Sequence, residues 1–158
     1  YDGPVYIRLG RPKVPVLFGE DYEFEIGKGV VLRDGSDVTL VATGIMVSKA
    51  VEAAETLAAE GINAAVVNIS TIKPLDDALL IAMAQKTGAV VTCEEHNIYG
   101  GLGSAVAEVL VENCPVPMTR VGVEDSFGES GLPDQLLEKY RLTVDNIVKK
   151  AKAVMARK

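Results

Sequence analysis

The chain has 158 residues, of which 48% are hydrophobic and 5% aromatic, and its formal net charge is −6. This length suits one domain with a small addition, and the acidic balance argues against nucleic-acid binding because phosphate backbones repel it. No apolar run reaches the roughly 18 residues that a membrane span requires. We therefore expect neither nucleic acid nor a membrane among the partners.

The first residues look separate from the rest of the chain. A strand-like run at 5–9 is followed by a polar stretch that contains Pro12 and Pro15. Two prolines so close together exclude helix and central-strand structure, which predicts a linker over 13–26. A lone strand at the start often belongs to a neighbouring domain, and the sequence does not begin with Met. We therefore expect a piece of a longer protein.

Two strands are predicted next, at 29–32 and 38–42. The dipeptide Asp34-Gly35 lies between them and is a strong tight-turn signal. Tight turns of this kind join the strands of a hairpin. The sequence therefore predicts a hairpin, which makes the first strand antiparallel to the rest of the sheet.

From residue 38 onward, strands and helices alternate. Helical spacing of apolar residues, capping residues and terminal glycines mark the helices, and continuous apolar runs mark strands buried on both faces. The predicted elements are a helix at 45–60, a strand at 64–69, a helix between Asp76 and Gly88, a strand at 89–92, a helix at 101–112, a strand at 118–123, and helices beginning near Pro133 and at Thr143.

These elements predict an α/β fold. A mostly parallel five-stranded sheet with an antiparallel first strand lies between two helical layers, which gives a three-layer α/β/α domain. Ligands of such sheets bind at the carboxyl ends of the parallel strands. Candidate residues should therefore follow the predicted strands.

Glu94, Glu95 and His96 follow the predicted strand at 89–92, and a glycine-rich turn with Gly101, Gly103 and Ser104 opens the next helix. Carboxylates beside a histidine can support acid–base chemistry, and backbone N–H groups at a helix N-terminus can bind an anion. The alternative is structural, since glycines also permit close helix–sheet packing. A dinucleotide fingerprint is not complete here, because Val106 stands at its third glycine position.

Other chemistry finds little support in the sequence. Cys93 and Cys114 have no metal-binding spacing and are interpreted as reduced structural thiols, so no metal site is predicted. Arg8 and Arg11 end the first strand-like run. A guanidinium suits phosphate binding, but either arginine could equally be an exposed surface charge.

Seven short motifs along the chain together resemble segments of transketolase sequences. They are DSFGESG at 125–131, LLEKY at 136–140, LTVDNIV at 142–148, GAVVT at 88–92, EEHN at 94–97, GGLGSA at 100–105 and GPVYIRLGR at 3–11. The last motif resembles the final strand of the pyrimidine-binding domain of these enzymes. The whole pattern is most similar to the small subunit of split prokaryotic transketolases, within a group that includes deoxyxylulose-phosphate synthase and 2-oxo-acid dehydrogenase beta subunits.

The resemblance implies three parts: the end of a pyrimidine-binding domain at 1–12, a linker at 13–26 and a transketolase C-terminal domain at 27–158. It implies a cytoplasmic, dimeric transferase of the pentose phosphate pathway that moves a two-carbon ketol unit from a ketose phosphate to an aldose phosphate. Thiamine diphosphate and Mg²⁺ would bind outside this chain. The chain alone would then be inactive and would mainly serve assembly with the remaining domains or an N-terminal subunit.

The resemblance also implies residue roles. Arg11 matches the arginine that binds the phosphate of the sugar, and Arg8 fits that pattern less well. No catalytic or cofactor-binding residue falls on this chain, and Glu94, Glu95 and His96 become candidate interface residues. Two alternatives stay open: the C-terminal domain of the synthase or of a dehydrogenase beta subunit, and a non-catalytic regulatory module that binds anions at 101–104.

Overall fold

The computed structural model describes residues 1–11 and 13–158, so Pro12, where the sequence analysis ends the preceding domain, lies outside the described residues. The strands and helices all lie between residues 29 and 155 of the described chain. They are β1 (Gly29–Arg33), β2 (Val38–Ala42), α1 (Met46–Ala59), β3 (Ala64–Ile69), α2 (Asp77–Thr87), β4 (Val90–Asn97), α3 (Leu102–Asn113), β5 (Met118–Val123), α4 (Pro133–Lys139) and α5 (Val144–Met155).

The five strands form one mixed sheet in the order β1-β3-β2-β4-β5. Strand β1 runs antiparallel to β3, whereas β2 pairs in parallel with both β3 and β4, and β4 pairs in parallel with β5. The predicted fold class is therefore confirmed, including the antiparallel first strand.

Helices cover both faces of this sheet, and alternate residues of each strand point into the two cores. Helices α1 and α5 pack on one face against residues such as Leu40 and Val66. Helices α2 and α3 pack on the other face against residues such as Val41 and Val67. Strands β2 and β3 are buried at every position because both faces are covered, and this explains their continuous apolar sequence.

The helix ends follow the predicted signals. Asp76 caps α2 by accepting a hydrogen bond from the N–H of Leu79 at 3.2 Å, and its second oxygen accepts from Gly29 at 3.0 Å. Gly88 ends the same helix in the left-handed conformation with φ +67°, which glycine adopts without strain. Thr143 caps α5 through the N–H of Asn146. These local signals set where the helices that flank the sheet begin and end.

The predicted hairpin between the first two strands is wrong. Strand β3 lies between them, because the connection after β1 crosses the start of β3 instead of folding back. The N–H groups of Ser36 and Asp37 both donate to the carbonyl of Asn63, at 3.0 and 2.9 Å. Gly35 makes this crossing possible, since a Cβ there would lie 2.3 Å from the backbone nitrogen of Ala65.

The predicted strand at 5–9 does not form, and in the part of the chain that the structure describes this stretch joins no sheet. Residues 1–11 are exposed and 13–26 contain neither helix nor strand. The assignment of residues 1–12 to a neighbouring domain, and of 13–26 to a linker, stays a prediction.

Gly35→Ala should destabilise the fold strongly. The added methyl group would meet backbone atoms that cannot move without shifting β3, and overpacking of this kind typically costs about 1–3 kcal/mol. Urea unfolding followed by circular dichroism measures the loss. Gly128→Ala is the matched control, since nothing lies within 4 Å of a Cβ at that position. Equal stability of the two variants would contradict the crossing geometry.

Candidate functional site

The candidate residues lie at the carboxyl edge of the sheet, where open α/β folds bind their ligands. The predicted strand at 89–92 was expected to end before Glu94, Glu95 and His96. That boundary was too early, because β4 extends to Asn97 and includes all three.

Glu94 is the central side chain of the edge. The residue is only 1% exposed, and its two carboxylate oxygens accept hydrogen bonds from the N–H groups of Leu102 at 2.7 Å and Gly103 at 2.8 Å. These amides open α3, whose N-cap residue Gly101 has no side chain to bind them. Glu94 therefore caps α3 from the neighbouring strand, and the positive end of the helix dipole compensates the buried charge.

The glycine-rich turn permits this close approach. A Cβ at Gly101 would lie 2.0 Å from Oε2 of Glu94, and a Cβ at Gly103 would clash with a side chain of β5. The structural interpretation of these glycines thus has direct support. An external anion site at Gly101, Gly103 and Ser104 is opposed by the same geometry, because Glu94 already holds the N–H groups of Leu102 and Gly103.

His96 and Ser104 have local partners. The exposed ring of His96 places Nδ1 at 2.9 Å from the carbonyl oxygen of Asn97, and Oγ of Ser104 accepts from the N–H of Gly100 at 2.9 Å. The structure does not bring His96 to an available carboxylate, because both neighbouring glutamates are engaged. The acid–base interpretation is therefore unsupported, and the interface role of His96 stays a prediction.

The two arginines of residues 1–11, hereafter the first segment, differ in their surroundings. Nη2 of Arg8 donates to Oε2 of Glu95 and to the backbone carbonyl of the same residue, both at 3.2 Å. Arg11 is exposed. The first segment thus reaches the carboxyl edge through Arg8, and the predicted roles of both arginines toward a sugar phosphate stay predictions.

Arg120 supports the same edge and was missed in the sequence. From β5 its Nη1 donates to the carbonyl of Ile98 at 2.8 Å, and its guanidinium carbon lies 5.4 Å from the ring centre of Tyr99. An arginine within an otherwise uncharged strand was the available signal. These contacts hold the turn that leads from β4 into α3.

The loop 124–132 follows β5 and lies beside a surface cavity. The hydroxyl of Tyr140 lies 3.0 Å from the carbonyl of Phe127 and 3.2 Å from Oε1 of Glu129, and Lys139 forms an ion pair with Glu129. The hydrogen bond from Lys139 lowers the pKa of Glu129, and desolvation followed by the Glu129 charge raises the pKa of Tyr140. The loop is thus held in a form that leaves Phe127 fully exposed.

The thiols offer no chemistry at this edge. Burial raises the pKa of the Cys93 thiol, and neither Cys93 nor Cys114 is in a disulfide. Within residues 1–11 and 13–158, no three His, Cys, Asp or Glu side chains cluster in a way that could hold a metal ion. No helix in this part of the chain is both long and apolar enough to cross a bilayer.

Fold and site together define an α/β domain with a mixed sheet. Hydrogen bonds within the chain occupy the polar groups at the carboxyl edge of the sheet, and the first segment contacts this edge through Arg8. Residues 27–147 match the transketolase C-terminal domain family. The chain belongs to the transketolase family, as the sequence motifs predicted.

Known relatives agree with this assignment. The chain is 55% identical over 158 residues to the 6-deoxy-6-sulfo-D-fructose transketolase subunit SqwH of Clostridium sp. (strain MSTE9), covering 100% of this chain and 49% of that protein. It is 45% identical over 155 residues to the 1-deoxy-D-xylulose-5-phosphate synthase of Heliobacterium modesticaldum, covering 96% of this chain and 24% of the synthase.

A solved structure described as a split gene transketolase, inactive beta4 tetramer, is 56% identical and has a TM-score of 0.96, covering 99% of this chain and 51% of that one. This chain therefore spans about half the length of these transketolase relatives.

Glu94→Gln should destabilise the protein by about 1–3 kcal/mol. The amide nitrogen of the new side chain would face a backbone N–H of α3, leaving a buried donor without an acceptor. Urea unfolding measures the effect. Glu108→Gln makes the same chemical change at an exposed position of α3 and should leave the unfolding free energy nearly unchanged. A similar result for both variants would refute the capping role of Glu94.

The Glu129 carboxyl should titrate below the ordinary glutamate value of about 4.3. Its lowered folded-state pKa means that the stabilising contact with Lys139 is present at neutral pH and is lost as the pH falls through that lowered pKa. Carbon-detected NMR titration gives the midpoint. Lys139→Met removes the ammonium group and should return the midpoint toward the ordinary value; an unchanged midpoint would exclude Lys139 as the cause.

Proposed function

We propose that this chain is the C-terminal part of a thiamine-diphosphate-dependent transketolase, which transfers a two-carbon ketol unit from a ketose to an aldose. The observation that carries the proposal is the 55% identity with a transketolase subunit along all 158 residues. The matching fold of a split transketolase supports it. Since this chain spans about half of those proteins, the activity belongs to the complete enzyme.

The substrates in this proposal are sugars that end in a tetrahedral anionic group. The sequence resemblance gives Arg11 the role of binding a phosphate, and the Clostridium relative is named for a sulfonated ketose. A guanidinium can donate two parallel hydrogen bonds to the oxygens of such a group. The proposed class therefore includes phosphorylated and sulfonated sugars, which is wider than the pentose phosphate pathway alone.

The cofactor belongs to the other half of the enzyme in this proposal. The start of α3, the candidate anion site of the domain, does not fit a diphosphate because Glu94 already binds its amides. Thiamine diphosphate, with Mg²⁺, supplies the carbon–carbon chemistry when bound in a transketolase. In this proposal the present chain mainly serves assembly, and its Arg11 binds the anionic end of the sugar.

The partner is the N-terminal subunit or the remaining domains, and the complete enzyme is proposed to be a cytoplasmic homodimer. In support of a covering partner, the first segment exposes a run of large apolar side chains that a neighbouring sheet would bury. The residues, with their exposed fractions, are Tyr1 (86%), Val5 (54%), Tyr6 (88%), Ile7 (71%) and Leu9 (85%). Burying such side chains favours association, and a chain without its partner should be inactive.

A second candidate is the C-terminal domain of deoxyxylulose-phosphate synthase, since a synthase is 45% identical over 155 residues. The synthase match covers only 24% of that protein, whereas the transketolase subunit is both more similar and half covered. Assays of the complete enzyme separate the two functions. Turnover of a ketose phosphate donor with an aldose phosphate supports transketolase, and turnover of pyruvate as the donor supports the second candidate.

Arg11→Ala in the complete enzyme should lower kcat/KM for phosphorylated or sulfonated ketoses by roughly ten- to a hundredfold, because a charge-assisted hydrogen bond to the anionic group is lost. The same ketoses without the anionic group should be little affected. Steady-state kinetics with each substrate pair measures the ratio.

Lys13→Ala is the matched control, since it removes an exposed positive charge two residues further along. Equal losses for anionic and neutral ketoses in Arg11→Ala would show that Arg11 does not bind the anionic group.

A further inference from the structure

The contact between Arg8 and Glu95 joins the first segment to the domain. We propose that Arg8 is a positioning residue: its bonds to Glu95 hold the segment at the carboxyl edge of the sheet and so place Arg11 for the anionic end of the sugar. The inference rests on the proposed function, because it assumes that Arg11 meets the substrate. It adds a role for Arg8 and Glu95 that concerns geometry and not direct binding.

The backbone carbonyl of Glu95 is open to Arg8 because β4 changes its pairing at this point. The ladder with β2 ends at Cys93, and the ladder with β5 is interrupted between Cys93 and Asn97. Such irregularities release backbone groups and re-aim side chains beside functional sites. Nη2 of Arg8 bonds this carbonyl as well as the carboxylate, both at 3.2 Å, so one residue of β4 offers two acceptors.

The backbone of β4 around Glu95, which accepts the hydrogen bond from Arg8, is fixed on both sides. Glu94, the preceding residue, is buried and bonded to two amides of α3. On the other side, Gly122 of β5 lies so close that a Cβ there would be 2.9 Å from the carbonyl oxygen of His96. Glu95 therefore provides a fixed point, and its side chain, which is 40% exposed, is more accessible than the buried side chain of Glu94.

Arg11 lies three residues beyond this fixed point. Three residues of extended chain span roughly 10 Å, and the fixed Arg8 therefore limits where the guanidinium of Arg11 can lie. Both side chains of the pair are partly exposed, at 56% and 40%, and an exposed pair contributes little to global stability. Losing the pair should loosen the first segment without unfolding the domain.

The test uses the complete enzyme and four variants: Arg8→Ala, Arg8→Lys, Arg11→Ala and the double variant Arg8→Ala/Arg11→Ala. Kinetics with a phosphorylated ketose and with the same ketose lacking phosphate are measured for each, alongside the thermal unfolding midpoint. Arg8→Ala should raise KM for the phosphorylated ketose about three- to fivefold, with kcat and the unfolding midpoint nearly unchanged. Arg8→Lys, which keeps a donor, should recover part of the loss.

The double variant shows whether Arg8 acts through Arg11 or independently of it. If Arg8 only positions Arg11, removing Arg8 has no further effect once Arg11 is absent. No loss beyond that of Arg11→Ala supports the inference. The full Arg8 effect persisting without Arg11, or equal Arg8 effects on both ketoses, overturns it. If Arg11→Ala alone leaves the kinetics unchanged, the proposed binding of the anionic group by Arg11 is wrong, and this outcome differs from a failure of the Arg8 inference alone.

Discussion

A buried carboxylate bonded to two backbone amides fixes the carboxyl edge of this domain. Glu94 lies inside the fold, where a polar group without partners is costly, and the N–H groups of Leu102 and Gly103 satisfy both of its side-chain oxygens. The bond sets the position of α3 relative to β4. It also requires Gly101, because any side chain there would occupy the space of the carboxylate. In other α/β proteins the N-terminus of such a helix binds phosphate. Here it binds the side chain of Glu94 and so joins α3 to β4.

Two adjacent glutamates of β4 have different surroundings, since Glu94 is 1% exposed whereas the side chain of Glu95 is 40% exposed. Glu94 points into the fold and joins β4 to α3, whereas Glu95 points outward and meets Arg8 of the first segment. The hydrogen bonds of Glu94 hold the backbone of β4 in place, and this fixes the position of the neighbouring Glu95, which Arg8 contacts. Arg120 completes the support from β5 by holding the carbonyl of Ile98. The carboxyl edge is therefore a rigid surface, and in this structure the first segment contacts it through Arg8.

The sequence predicted most of the fold because its signals are local. Capping by Asp76 and Thr143, the αL glycine at 88 and the continuous apolar strands all depend on neighbouring residues. The hairpin prediction failed because Asp34-Gly35 specifies a tight bend and not which strand lies alongside, and β3 pairs with both strands from a distance in sequence. The role of Glu94 was equally hidden, since its partners lie eight and nine residues away across a turn.

The carboxyl edge and the first segment differ in whether their polar and apolar groups already have partners within the chain. At the carboxyl edge, the polar groups already have partners within the chain: Glu94 accepts from two amides of α3, Glu95 from Arg8, and the carbonyl of Ile98 from Arg120. The first segment is the reverse case, since it exposes large apolar side chains and Arg11. Exposed apolar surface of that kind marks an interaction site. In the proposed enzyme, covering it with the N-terminal half would bring Arg11 to the boundary between the two halves. A different anionic group on the sugar would then be accommodated at this boundary, while the residues that fix the carboxyl edge stay unchanged.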